Sequence, residues 1–92
     1  MIKSFQHKGL KNFFEKGAIK GINPNHTDKL NRILTRLDYA EFVQDMDLPG
    51  YRLHSLKGNM KNLWAVDVSQ NYRITFQFED GNAYILDYQD YH

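Results

Sequence analysis

A chain of 92 residues without cysteine, 41% apolar and 14% aromatic, has room for one core but not two, needs no staple, and offers neither disulfide nor thiolate chemistry. With no apolar run of membrane-spanning length and no signal-like start, the composition predicts a soluble, cytosolic domain rather than a membrane or secreted one. A formal charge of +1 hides segregation: residues 1–36 carry eight Lys or Arg against Glu15 and Asp28, a local sum of +6, while residues 37–50 hold four acids. A positive face of that kind favours polyanions.

In chain order, residues 2–5 read as a brief edge strand. Over residues 8–16, Leu10, Phe13 and Phe14 recur at helical spacing with Lys8, Lys11, Glu15 and Lys16 outside, and Gly17 is the expected stop. Asn23, Pro24 and Asn25 form a turn, after which Thr27 is expected to cap a second helix with the apolar stripe Leu30, Ile33, Leu34 and Leu37. On its outer side Lys29, Arg32 and Arg36 make one basic stripe. Residues 38–46 are expected to add a short third helix before Leu48, Pro49 and Gly50 break the pattern.

Beyond Gly50 the period becomes two. Residues 51–56, 63–68, 73–78 and 83–88 are strand-length runs rich in aromatic and β-branched side chains, turned at Gly58–Asn59, Gln70–Asn71 and Asp80–Gly81. The expected fold is α+β, one domain over residues 1–92, with two to three N-terminal helices packed on one face of an antiparallel sheet of about four strands.

The last hairpin constrains the residues around it. If Asp80 and Gly81 form the tight turn, counting back sets Arg73 opposite Tyr88 or Gln89, and Asn71 across from Asp90 or Tyr91, according to loop length. A slip of one residue would exchange the faces. Each residue there also has a bland reading: a terminal Tyr and His commonly fray, Arg73 can be a surface charge paired with Asp87 or Asp90, His54 a structural side chain, and Lys57 a solubilising turn residue.

The combination is more specific. "LHSLKGNMKNLWAVDV" (residues 53–68), "NYRITFQFEDGNAYILDYQDYH" (71–92) and "MIKSFQHKGLKNFFEKG" (1–17) together resemble the HigB toxins of the RelE superfamily, the toxin half of bacterial type II toxin–antitoxin pairs. The resemblance implies a RelE-like fold and a ribosome-dependent messenger-RNA endonuclease acting in the 30S decoding site. It implies silencing by a HigA-like helix-turn-helix antitoxin, with operator DNA reached only through that antitoxin, and no membrane partner. It also implies active residues at His54, Lys57, Arg73, Asp90, Tyr91 and His92, with Asn71 reading a base of the codon. The Glu, His and Arg set of microbial RNase relatives is absent.

That chemistry needs no metal or cofactor. RNA carries its own nucleophile, so a nuclease removes the 2′-hydroxyl proton, stabilises charge on phosphorus and protonates the leaving 5′-oxygen. Imidazoles titrate near neutrality and Lys57 and Arg73 offer fixed positive charge. The expected roles are Arg73 and Lys57 as phosphate stabilisers, Asp90 or His92 as general base, His54 or His92 as general acid, and Tyr91 as a stacking or orienting group. Lys29, Arg32 and Arg36 are expected to bind ribosomal RNA through phosphates. The four histidines, His7, His26, His54 and His92, show no paired spacing of a zinc site. Two rivals are a ParE-like toxin that inhibits gyrase and a non-enzymatic RNA- or partner-binding module.

Overall fold

The two helical periods and the alternating second half become two layers. The computed structural model describes residues 1–58 and 62–91. Its elements are α1 (Lys8–Lys16), a 3₁₀ turn (Pro24–His26), α2 (Thr27–Tyr39), a second 3₁₀ turn (Val43–Met46), and strands β1 (His54–Ser55), β2 (Leu63–Asp67), β3 (Tyr72–Glu79) and β4 (Asn82–Asp90). The strands form one antiparallel sheet in the order β1-β2-β3-β4. Among the described residues no helix is long and apolar enough to cross a membrane.

α1 ends at Gly17, whose φ of 72° suits a residue without a Cβ and whose N–H closes on the Phe13 carbonyl. The His7 imidazole caps the other end, its Nδ1 accepting from the Leu10 N–H at 3.0 Å. Thr27 is not the cap of α2 that its residue type suggested. It is the first helical residue, its hydroxyl donates back to the Pro24 carbonyl at 3.1 Å, and the N-cap position falls to His26. The third helix expected over 38–46 reduces to the turn Val43–Met46, because α2 already runs to Tyr39 and Asp45 folds back to accept the Glu41 and Phe42 N–H groups.

Leu10 of α1 and Leu30, Ile33, Leu34 and Leu37 of α2 are buried against Val66, Ile74, Phe76 and Leu86, so the helices cover one face of the sheet. Each large side chain so buried contributes about 1.5–3 kcal/mol. The edge segment expected at the start exists as two parallel bridges, Ile2 with Ala83 and Phe5 with Leu86, alongside β4.

Two departures from regular strands shape the sheet face that the helices leave uncovered. Glu79 pairs with Asn82 across the Asp80–Gly81 turn, but the register shifts between Thr75 and Gln77, where Phe76 faces both Ile85 and Leu86. Ile85 sits at φ 49°, a left-handed conformation that a β-branched residue rarely takes, and this is a bulge. Arg52, at φ 48°, interrupts the first predicted strand: the Asp67 N–H donates to the Tyr51 carbonyl across it, and only His54–Ser55 remain as β1.

Candidate functional site

Antiparallel partners share a face, and alternate residues take opposite faces. Because Ile74 and Phe76 point to the helices, Arg73 and Thr75 point away. Their partners across the sheet do the same. One row runs Asp67–Arg73–Gln89, and the next runs His54–Ala65–Thr75–Asp87. The bulge at Ile85 sets the second half of β4 in this phase, resolving the choice left by the sequence in favour of Arg73 opposite Gln89.

This open face carries a continuous polar network. Arg73 Nε donates to Gln89 Oε1 at 3.3 Å, and Gln89 Nε2 donates to Asp87 Oδ2 at 3.0 Å. The Arg73 guanidinium carbon lies 4.7 Å from the centre of the Tyr91 ring. The Tyr91 hydroxyl donates to Asp67 Oδ1 at 3.2 Å, and Arg52 Nε donates to Asp67 Oδ2 at 2.7 Å. Burial acts to raise the Asp67 pKa, but the Arg52 guanidinium, the Tyr91 hydroxyl and the charge of His54 together hold it below the ordinary carboxylate range. His54 Nδ1 lies 2.7 Å from the Arg52 carbonyl. A carbonyl only accepts, so Nδ1 carries the proton and Nε2 is left to take or give one.

The predicted residues therefore separate. His54, Arg73 and Tyr91 are brought to one face, and Asn71 adjoins them, its carbonyl accepting from the Tyr91 N–H at 2.8 Å. Asp90 pairs with Tyr72, which stacks on Tyr88 beside His26, so Asp90 belongs to the helix side of the pleat. In keeping with that side, burial chiefly, and the Asp90 charge in part, raise the Tyr88 pKa. Lys57 is exposed on the turn after β1. Extending the β1–β2 register sets it opposite Asn62, five residue rises or ~17 Å along the sheet from the Asp67–Arg73 row. His92 and Asn59 lie outside the described residues.

Lys29, Arg32 and Arg36 stand on α2, in the layer away from the open face. Lys29 Nζ donates to the Gly50 carbonyl at 2.9 Å and Arg36 Nε to the Asp45 carbonyl at 3.1 Å. Among the described residues no group of three His, Asp or Glu gathers to hold a metal ion. Arg52, Asp67 and Gln89 were missed in the sequence. Gln89 was visible as a possible cross-strand partner, but nothing local marks Asp67, which alternates with valines like any solvated strand residue.

Residues 3–92 match the family described as the RelE-like toxin HigB of type II toxin–antitoxin systems. The chain is 48% identical over 92 residues, the whole of both proteins, to "Endoribonuclease HigB" of Proteus vulgaris. It is 34% identical over 85 residues, 90% of each, to "Toxin HigB-1" of Vibrio cholerae serotype O1. Among solved structures, a copper-bound mutant toxin from Helicobacter pylori shares the fold, with a TM-score of 0.55 over 98% of this chain and 94% of that one at 19% identity.

Proposed function

The chain belongs to the HigB-like family of RelE-like toxins from type II toxin–antitoxin systems, and from that premise we propose that it is an endoribonuclease that cuts messenger RNA on the ribosome. The reading extends the name of its Proteus vulgaris relative to this chain. The observation that carries it is the open sheet face, where an imidazole with a usable nitrogen, an oriented guanidinium and an aromatic ring stand together.

In this reading the 2′-oxygen attacks the adjacent phosphorus as its proton leaves to a base. The bond to the 5′-oxygen breaks as an acid protonates that oxygen, leaving a 2′,3′-cyclic phosphate and a 5′-hydroxyl. No metal takes part in these steps. Arg73 stabilises charge on the non-bridging oxygens, held in aim by Gln89 and Tyr91. His54, through Nε2, takes one proton-transfer role, and His92 takes the other. Lys57, exposed on the turn after β1, neutralises a neighbouring phosphate of the same strand. Asn71 reads a base, and Tyr91 presents the outer surface of its ring to a nucleotide.

The partners in this reading are a HigA-like helix-turn-helix antitoxin, the 30S decoding site and messenger RNA, with Lys29, Arg32 and Arg36 on the helical layer touching ribosomal phosphates. The test is to map RNA ends after expressing the chain. New 5′-hydroxyl ends within translated codons, lost in Arg73→Ala and His54→Ala, are expected. Intact messenger RNA with reduced DNA supercoiling would overturn the reading in favour of a gyrase inhibitor.

A further inference from the structure

The open face holds a carboxylate that the cleavage chemistry does not use, in a place where a polyanion would otherwise meet repulsion. Asp67 is the first member of the Asp67–Arg73–Gln89 row. Its Oδ2 accepts from Arg52 Nε at 2.7 Å, and its Oδ1 accepts both from Arg52 Nη2 at 3.4 Å and from the Tyr91 hydroxyl at 3.2 Å. Arg52 Nη2 also reaches the Tyr91 oxygen at 3.5 Å.

Stability is a weak explanation for this arrangement. The Arg52 side chain is 64% exposed and that of Asp67 18%, and ion pairs so open to water contribute little. Tyr91 has a greater need of it. It lies one residue beyond the end of β4, where its N–H donates to the Asn71 carbonyl at 2.8 Å. A side chain in that position rotates freely unless something beyond the backbone fixes it. The hydroxyl contact to Asp67 supplies that fixation, and the fixed ring stands 4.7 Å from the Arg73 guanidinium. Arg52 both cancels the Asp67 charge towards RNA and, through its carbonyl, receives His54 Nδ1. The left-handed backbone at Arg52 thus serves both contacts.

We propose that Asp67, with Arg52 as its counter-ion, is a positioning residue that holds the Tyr91 ring against the Arg73 guanidinium in the RNA-cleaving site. The proposal rests on the nuclease reading for its consequence in rate, but not for the contact itself, so the two are tested separately.

The full chain is compared with Asp67→Ala, Asp67→Asn and Tyr91→Phe. By NMR, the Arg73 Nε–Hε signal of the unsubstituted protein is expected to be displaced by the Tyr91 ring, which stands 4.7 Å from the guanidinium carbon. Asp67→Ala and Tyr91→Phe are expected to return it towards the position of a free arginine, whereas Asp67→Asn keeps the displacement because its amide oxygen still accepts from the Tyr91 hydroxyl. On ribosome-bound messenger RNA, Asp67→Ala is expected to lower kcat about tenfold with little change in KM, and Asp67→Asn to recover most of that loss. Melting temperatures of all three should stay within a few degrees of the parent. An Arg73 signal unmoved by Asp67→Ala, or unchanged kcat in that variant, would overturn the proposal. A parent chain that cuts no RNA refutes the nuclease reading instead, and the NMR comparison then decides by itself whether Asp67 holds the ring.

Discussion

Arg73→Lys keeps the charge at the centre of the open face and removes the shape. Two contacts disappear with the guanidinium: the 3.3 Å bond from Nε to Gln89 and the stack on Tyr91 at 4.7 Å. A hydrogen bond of that length contributes roughly 0.5–1 kcal/mol and a cation over an aromatic ring at a half-exposed site about as much again. Together they amount to about 1–2 kcal/mol of aim, which corresponds to roughly 5- to 30-fold in rate if the contacts persist in the transition state. Loss of the planar fork towards phosphate adds to that figure, because an ammonium cannot hold two oxygens in one plane. The assay is single-turnover cleavage of ribosome-bound messenger RNA, with Arg73→Ala as the charge-free reference and circular dichroism to verify folding. Arg73→Lys should fall between the parent and Arg73→Ala. Activity within twofold of the parent would refute the view that geometry rather than charge is what Arg73 contributes.

The other predictions concern the helical layer. Gly9→Ala should destabilise the protein although alanine is the better helix former, because the added Cβ would stand 2.9 Å from His7 Cε1 and 3.0 Å from the Lys20 carbonyl; a higher urea midpoint would contradict this. Burial lowers the His26 pKa, so the unfolded chain binds the proton more readily. The associated stability is complete above the unfolded histidine value of about 6.5 and is lost as pH falls from there through the lower folded value. Melting curves between about pH 5 and 7.5 should show that loss, reduced in His26→Asn, and an identical slope in the variant would exclude His26 as its source. Arg32→Glu with Arg36→Glu should raise KM on ribosomes and leave the fold intact; unchanged KM would remove α2 from the RNA contact.

Much of the architecture was legible because it is written in short-range periods. Leu30, Ile33, Leu34 and Leu37 at helical spacing specify α2, and Trp64, Val66 and Val68 at alternate positions specify β2, whatever surrounds them. Gly17 and the Asp80–Gly81 turn are equally local, since each answers a backbone need that few residues meet. Thr27 and the 38–46 segment read less well. Their local preferences were overridden by His26 taking the cap position and by Asp45 folding back on the chain after α2.

Residues close in the chain were thus enough to specify the set of elements, the last hairpin turn and the neighbourhood of Arg73. Which side chains share a face was left to the assembled sheet. An isoleucine gives no sign that it will adopt φ 49°, yet that one residue shifts the phase of β4, turning Gln89 towards Arg73 and Asp90 towards Tyr72. Asp67 likewise meets Tyr91 only through three strands in register. Face and register are sums over the whole sheet, with a side-chain period of two residues, so one extra residue in a strand reverses everything beyond it.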